Sequence, residues 1–337
     1  MALYTFETIT AAEAAAYQPS DSLAFSTGAA NLLSVSFLPS PEQVAITMGG
    51  RMVAFGVGIY GESDLTFPDG GRLFVGTPGP DNFSGGAAID ALFGGLDSDI
   101  LSGGAAGDVL QGNQGADTLN GDAGNDTVYG GQGDDVINLG AGADELNFTN
   151  GNKGNDTITA AHGGDTLLGG QGNDLIVGGA GGDLIFGNLG DDTIDAGGGA
   201  DTIHGDSGYD LMSGGDGADL FVFPAGSSVV DAALSDRIQD WSPEDRIDLP
   251  VVAGYAEVSQ QPMPGPYGYG YTPPSDFATA QSAAASALAG NPGLNIVAAQ
   301  ASSDVAVFID SDGDHLIDMA IILSNTTLAS ISEGNFI

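Results

Sequence analysis

The sequence predicts an all-β repeat protein that folds around metal ions, and three features of residues 76–223 support this prediction. An aspartate recurs every nine residues, eight times from Asp81 and eight times more from Asp156. The residue two places after each of these aspartates is apolar in all sixteen units. Glycine fills most of the places before the aspartate, so the unit reads GGxGxDxUx, in which U is apolar. A globular enzyme core does not need so regular a spacing, and we therefore expect stacked repeats.

The nine-residue unit divides into a strand and a turn. Side chains alternate along an extended chain, so the apolar residue of a three-residue strand points inward and its neighbours point outward. The six residues before the strand form a turn, where glycine permits positive φ and lets backbone carbonyls approach a ligand. The carboxylate of each turn supplies the hard oxygen that Ca²⁺ prefers. Zinc is not expected, because the chain has no cysteine and only three histidines.

These repeats resemble those of the RTX proteins, which are secreted bacterial proteins with glycine-rich calcium-binding nonapeptides. The resemblance implies a right-handed parallel β-roll with two nonapeptides in each turn. It also implies that Ca²⁺ lies between loops two units apart, which gives at most about 14 complete sites for sixteen loops. The implied ligands are the repeat aspartates: Asp81, Asp90, Asp99, Asp108, Asp117, Asp126, Asp135, Asp144, Asp156, Asp165, Asp174, Asp183, Asp192, Asp201, Asp210 and Asp219.

Charge makes the metal a condition of folding. Residues 76–223 contain 24 acidic side chains and one basic side chain, Lys153, which gives a net charge of −23. About 14 divalent ions would bring about +28 and cancel it. Without them, like charges in loops stacked roughly 4.8 Å apart should repel one another. The whole chain carries −40, which argues against binding to nucleic acid or to anionic membranes through charge.

Two irregularities interrupt the repeats. The fourth-position glycine is replaced in three consecutive units, by Ala88, Asp97 and Ala106, and weaker or distorted sites are predicted there. The step from Asp144 to Asp156 is twelve residues. We assign the three extra residues to 148–150, in a bulged loop of one continuous roll, with Leu146 in the core; two separate rolls are the less favoured alternative.

Segments on both sides of the repeats lead us to predict three domains: 1–75, 76–223 and 224–337. The first is expected to be a small β-rich cap with a short helix, which Thr10 and Glu13 begin through a capping box. Its strand-like runs are separated by glycine turns at residues 49–50 and 69–70. We expect it to cover the first end of the roll.

The third domain is expected to be an α+β cap. It begins with DRIQDWSPEDRIDLP, which resembles the strand pair that closes RTX rolls. A helix is predicted from Ser275 to Ala289 and a hairpin around DSDGDH. Asp310, Asp312 and Asp314 of that turn could bind another Ca²⁺, but an ordinary acidic turn is favoured, because the glycine is one place early and the twelfth-position glutamate is missing.

Export is predicted without an amino-terminal signal peptide. The first twenty residues have neither a basic region nor an apolar run, and no stretch of about 18 apolar residues occurs in the chain. The resemblance implies type I secretion through an uncleaved carboxyl-terminal signal, for which LASISEGNFI is the candidate. We therefore expect an extracellular or cell-surface location, with the type I machinery as a transient partner and no insertion into membranes.

The sequence contains no recognisable catalytic motif. It lacks HExxH and GxSxG, and its three histidines are far apart, so no catalytic or organic-cofactor residues are assigned. Outward positions of the second half are apolar, among them Leu175, Leu184 and Phe186. Such patches favour contacts between copies of the chain. The leading hypothesis is a secreted, calcium-dependent structural protein that forms a filament or lattice in the matrix, in a biofilm or on the cell surface.

Two other functions are compatible with the sequence. The first is an adhesin that binds a surface polysaccharide through the amino-terminal domain or through the tyrosine-rich loop of residues 262–274. The second, less favoured, is a secreted hydrolase or epimerase with an unusual active site.

Overall fold

The structure, a computed structural model, describes most of the chain. The described residues are 3–16, 18, 22–25, 33–39, 42–48, 51–55, 59–140, 146–228, 230–231, 233–249, 255–258, 277–290, 294–314 and 316–337. The chain forms two compact units, Met1–Gln171 and Gly172–Ile337, and the boundary between them lies within the repeats. The predicted division into three domains therefore stays a prediction. No helix among these residues is long and apolar enough to cross a membrane.

The first unit begins with a β-rich segment around one short helix. Its elements are β1 (Leu3–Thr5), α1 (Ala11–Ala15), β2 (Ser22–Ala24), β3 (Leu33–Pro39), β4 (Glu42–Met48), β5 (Arg51–Phe55), β6 (Glu62–Thr66) and β7 (Arg72–Val75). The Thr10 hydroxyl accepts from the Glu13 N–H and the Glu13 carboxylate accepts from the Thr10 N–H, which is the predicted capping box. Strands β3, β4 and β5 form an antiparallel sheet, and Phe6, Leu23 and Phe55 are buried in one apolar core. The predicted turn at residues 49–50 lies outside the described residues.

The repeats of the first unit form two parallel sheets. Their strands are β8 (Asn82–Ser84), β9 (Ala91–Gly95), β10 (Ile100–Ala105), β11 (Val109–Gln114), β12 (Thr118–Ala123), β13 (Thr127–Gln132), β14 (Val136–Asn138), β15 (Phe148–Lys153), β16 (Thr157–Thr159) and β17 (Thr166–Gln171). Alternate strands pair, so that Leu110 of β11 lies between Leu92 of β9 and Val128 of β13. Partners are 18 residues apart, and two nonapeptides therefore make one turn. The parallel β-roll predicted from the repeat is confirmed.

The second unit continues the pattern and ends in a mixed sheet. It contains β18 (Leu175–Ala180), β19 (Leu184–Leu189), β20 (Thr193–Gly198), β21 (Thr202–Ser207), β22 (Leu211–Ser213), β23 (Leu220–Val222), β24 (Arg237–Ile238), β25 (Arg246–Asp248), β26 (Tyr255–Val258), α2 (Phe277–Gly290), β27 (Leu294–Ala301), β28 (Asp304–Ile309) and β29 (Met319–Leu323). Strands β27, β28 and β29 are antiparallel, and β29 pairs with β24. Two 3-10 helices follow, Leu328–Ser330 and Glu333–Asn335. The expected start of α2 at Ser275 lies outside the described residues.

The position predicted for the three extra residues is wrong. Residues 148–150 begin β15, where Thr149 pairs with Val128 on one side and Leu167 on the other and is fully buried. Leu146, predicted to be in the core, is 61% exposed. The extra residues therefore precede Asn147, which lies nine residues before Asp156. A turn can lengthen without disturbing the strand ladder, whereas an insertion of three residues, an odd number, within a strand would turn the following side chains to the opposite face.

Candidate metal centre

The repeat aspartates stack in two ladders on the turns of each unit. In each step, the Oδ1 atom of an aspartate accepts from the backbone N–H of the ladder residue one turn earlier; for Asp81 and Asp99 this distance is 2.8 Å. The ladders of the first unit are Asp81–Asp99–Asp117–Asp135–Asp156 and Asp90–Asp108–Asp126–Asn147–Asp165. Those of the second unit are Asp174–Asp192–Asp210–Asp236 and Asp183–Asp201–Asp219–Asp245.

The second carboxylate oxygen of many ladder aspartates is buried and accepts no hydrogen bond within the described part of the chain. This holds for Oδ2 of Asp99, Asp108, Asp117, Asp135, Asp192, Asp201, Asp210, Asp219 and Asp236. A buried carboxylate oxygen without a donor costs free energy, because its hydration is lost and nothing replaces it. Each of these oxygens therefore requires a proton or a cation.

Carbonyl oxygens face the same space. A Cβ atom placed on Gly112 would lie 2.1 Å from Asp117 Oδ2 and 2.6 Å from the carbonyl oxygen of Gly130. On Gly187 of the second unit, it would lie 2.3 Å from Asp192 Oδ2 and 2.7 Å from the carbonyl oxygen of Gly205. Only glycine leaves this space open, and the oxygens around it are those that Ca²⁺ prefers. The residues present therefore fit the predicted Ca²⁺, which would be held by carboxylate and backbone oxygens of successive turns.

Burial disfavours the charged form of these carboxylates. Loss of hydration raises the pKa of Asp99, Asp108, Asp135, Asp192 and Asp210 to about 7, and neighbouring ladder aspartates add to the shift. The pKa of Asp156 and Asp219 rises to about 6 for the same first reason. Near neutral pH, the metal-free ladders therefore hold protons that a divalent cation would displace.

Fifteen of the sixteen predicted aspartates lie in these four ladders, nine in the first unit and six in the second. Asp144 lies outside the described residues, and Asn147 occupies the place in the second ladder, between Asp126 and Asp165, where the nine-residue spacing predicts Asp144. Asn147 Oδ1 accepts from the Asp126 N–H at 2.8 Å, as an aspartate would. A side-chain amide can offer Ca²⁺ a neutral oxygen, so this step of the ladder carries one negative charge fewer.

Two ladder residues, Asp236 and Asp245, were missed in the sequence. They accept from the N–H groups of Asp210 and Asp219, at 3.0 and 3.1 Å. Burial raises the pKa of Asp236 to about 8. The available signal was the nine-residue step between two DRI triplets, each with the D-x-U order of the repeat. The triplets lack the glycines of the repeat, and the step from Asp219 to Asp236 is 17 residues instead of nine.

Two of the three turns in which the fourth-position glycine is replaced keep a positive φ. Asp97 and Ala106 have φ of 67° and 88°, the conformation that the missing glycine would adopt at lower cost.

The DSDGDH turn brings three carboxylates together. One carboxylate oxygen from each of Asp310, Asp312 and Asp314 lies within 4.8 Å of the other two. Oδ1 of Asp310 accepts from the Gly313 N–H and Oδ1 of Asp312 from the Asp314 N–H, as in an acidic turn without metal.

Known proteins share the repeat. The model of the RTX calcium-binding nonapeptide repeat matches residues 75–110, 111–146, 150–176, 169–203, 177–212 and 195–226, which together make up less than half of the chain. No curated protein matches the chain.

Similar solved structures include two domains of an epimerase and a lipase. The AlgE6R2 subunit of the Azotobacter vinelandii mannuronan C5-epimerase is 22% identical with a TM-score of 0.35, covering 51% of this chain and 91% of its own. The AlgE6R3 subunit of that epimerase is 22% identical, with a TM-score of 0.24 and coverage of 52% and 80%. The extracellular lipase LipA of Serratia marcescens is 16% identical, with a TM-score of 0.30 and coverage of 74% and 40%.

Proposed function

Residues 75–226 of this chain are RTX calcium-binding nonapeptide repeats, and on this premise we propose that the protein is a secreted structural protein that folds with calcium and then assembles with copies of itself. The assembly would be a filament or lattice in the extracellular matrix, in a biofilm or on the cell surface. Calcium is plentiful outside cells and scarce in the cytosol, so a chain with −23 in its repeats would stay open until export. The type I machinery is the proposed export route.

The observation that carries self-assembly is an open edge at the first turn of the roll. Strand β8 pairs with β10 on one side and, among the described residues, with no strand on the other. The Asp81 carbonyl and the Gly85 N–H are bonded to β10. The intervening Asn82 and Ser84 therefore direct their backbone groups to the free edge. Such an edge accepts a strand from another chain.

The core is also incomplete at this edge. Phe83 holds the apolar position of the first nonapeptide but is only partly buried, whereas Leu101 one turn later is fully buried. The Phe83 ring stacks on Phe74 at a centroid distance of 4.3 Å, and the remainder of the ring is left for a partner. A second copy of the chain that adds a strand here would satisfy the backbone groups and bury Phe83.

Outward apolar side chains offer further contact area. Ile100 and Val136 are 46% and 41% exposed in the first unit, and Leu175 is 43% exposed in the second. Leu184 and Phe186, also expected at an interface, are half-buried, and the Phe186 ring stacks on His204 at 4.4 Å. The exposed strand residues are therefore better candidates for contacts between copies.

Sedimentation velocity and electron microscopy in about 1–10 mM Ca²⁺ test this proposal. We expect large, ordered particles with calcium and an unassembled chain with a chelator. Ser84→Pro removes an outward N–H from β8 and should prevent assembly without preventing calcium-dependent folding. Ser84→Ala retains that N–H and is the matched control. A folded protein that stays monomeric at all concentrations, or equal assembly of the two variants, would contradict assembly through β8.

The adhesin alternative is favoured by one specific observation, a groove on the first unit whose lining includes Gln111, Gln132 and Lys153. The tyrosine-rich loop of residues 262–274, which was the other candidate for binding a glycan, lies outside the described residues.

A further inference from the structure

A groove of about 470 Å³ runs over the outer face of the β9–β11–β13–β15 sheet. Its lining combines polar and apolar surface and includes the side chains of Gln111, Gln114, Tyr129, Gln132 and Lys153, together with Leu96. None of these side chains takes part in the calcium ladders. The groove is complete within one unit of one chain, so a ligand can bind there whether or not the chain assembles with copies of itself.

The floor of the groove is set by backbone conformation. Asn113 and Asn152 adopt positive φ of 78° and 75°, and Gly131 lies between them in the register of the sheet. The Asn113 Nδ2 donates to the Gln111 carbonyl at 3.3 Å, and the Asn152 Nδ2 donates to the Asn150 carbonyl at 3.0 Å. These bonds hold the asparagine side chains down, and Gly131 has no side chain. A depression therefore lies between rows of longer side chains.

Those rows present repeated polar groups to a ligand. Gln114, Gln132 and Lys153 are neighbours on three successive strands, and Gln111 and Tyr129 are neighbours in a parallel row. Each glutamine amide offers both donors and an acceptor, which suits hydroxyl groups. The Tyr129 ring lies against the Phe148 ring, with their centroids 5.8 Å apart. It can stack on the apolar face of a sugar ring. Strands spaced roughly 4.8 Å apart repeat these groups at regular intervals, as a polymer of similar units requires.

Lys153 gives the groove its charge preference. It is the sole lysine of a chain with a net charge of −40, it is exposed, and it makes no ion pair with any residue that the structure describes. An ammonium among neutral amides suits a ligand that carries a carboxylate on one unit and hydroxyls on its neighbours. A densely charged phosphate polymer would meet one cation in this groove and the acidic surface around it.

We propose that this groove binds an acidic polysaccharide, with its hydroxyls on the glutamine amides, a sugar ring on Tyr129 and a carboxylate on Lys153. The sheet that forms the groove exists when the roll is folded, so binding should require calcium. The bound polymer would run across the strands, parallel to the axis of the roll.

The single lysine makes the test direct. Selective ¹³C labelling of lysine gives one side-chain signal in the calcium-loaded full chain, and the probes are hexasaccharides of hyaluronan and of heparosan, with neutral chitohexaose for comparison. We expect either uronate hexasaccharide to shift the Lys153 signal saturably, and chitohexaose to bind about tenfold more weakly or not at all. No shift with either uronate, or equal binding of chitohexaose, would overturn the proposal.

Variants separate the groove from general charge effects. Lys153→Gln and Tyr129→Ser should each weaken uronate binding by about tenfold in calorimetry, because each removes one strong contact. Arg246→Gln removes an exposed charge elsewhere, and Asn138→Ala removes an amide from the other sheet; both should bind as the parent does. Equal calcium uptake and circular dichroism identify variants that remain folded. If a folded Lys153→Gln or Tyr129→Ser binds as the parent does, the assignment to this groove is wrong.

Discussion

The repeats and the carboxyl-terminal sheet are stabilised in different ways. In β19 of the repeats, buried residues alternate with partly exposed ones, and each turn buries an aspartate. In β28 and β29, by contrast, nearly every residue is buried and apolar, and Ala284 and Leu288 of α2 pack in the same core. Apolar burial stabilises the second region by itself. The repeats bury charge as well, and their folding therefore depends on a cation.

This difference concerns neighbouring parts of one unit. Strand β29 pairs with β24 of the roll through Arg237–Ile322 and Ile238–Leu323. Asp236, directly before β24, is the last residue of its ladder. The apolar sheet therefore adjoins the end of a ladder, and we expect it to fold without calcium and to offer an edge on which the repeat strands can form.

Truncating the apolar core of the carboxyl-terminal sheet should have the largest effect. Phe308 is fully buried, and its ring lies 5.3 Å from Phe277. Phe308→Ala should lower the free energy of unfolding of this sheet by about 3–5 kcal/mol. The loss should be similar with calcium and with a chelator, as measured by denaturant unfolding in both conditions. A loss that appears only in calcium would mean that this sheet depends on the metal.

A substitution in a ladder should give the opposite pattern. Asp117→Asn keeps the shape but removes a charge at a calcium position, and should cost about 2 kcal/mol of unfolding free energy in calcium. In chelator at about pH 5, where the protonated ladders can fold, it should stabilise slightly, because burial already raises the pKa of Asp117 and disfavours its charge. Asp122→Asn makes the same change at an exposed residue beside the ladder and is the control. Thermal melts with and without calcium show whether the effect of Asp117→Asn on stability changes sign. Equal effects of Asp117→Asn and Asp122→Asn would contradict a calcium-binding role for the ladder.

The pH dependence of the calcium-free chain follows from the raised pKa values. Burial raises the pKa of Asp99 and Asp135 to about 7, above the unfolded value near 4. A raised folded-state pKa favours the protonated fold, so this contribution is complete below about pH 4 and is lost as the pH rises through about 7. Circular dichroism in chelator should show β-structure increasing on acidification from pH 8 to pH 5. A signal that does not change over this range would contradict buried, protonated carboxylates.

The smallest effect is expected at the irregular turn. Thr149 occupies a core position that is apolar in the neighbouring turns, and its hydroxyl is buried and accepts or donates no hydrogen bond among the described residues. Thr149→Val keeps the shape and removes this hydroxyl, and should stabilise the calcium-loaded repeats by about 1 kcal/mol. Thr157→Val, at a partly exposed outward position, should change the melting temperature much less.

The sequence predicted the repeating parts of the molecule and missed the parts that break the repeat. Each nonapeptide carries its own turn, ligand and core residue, so the strand, the turn and the calcium chemistry could be inferred locally, whereas the roll was implied by the resemblance to RTX proteins. The insertion was misplaced because Leu146 is apolar and Thr149 is polar, while strand pairing decides which of them is buried. The groove could not be predicted, because Gln132 and Lys153 become neighbours only through pairing of strands 21 residues apart.

Hydrogen exchange of the full chain during a calcium titration tests the central claim most directly. In chelator at neutral pH, amides of β19 to β22 should exchange as in an unfolded chain, while those of β28 and β29 stay protected. Added calcium should then protect the repeat strands and leave the carboxyl-terminal sheet almost unchanged. Full protection of the repeats without calcium, or loss and recovery of both regions together, would contradict the account that calcium folds the repeats and apolar burial folds the sheet beside them.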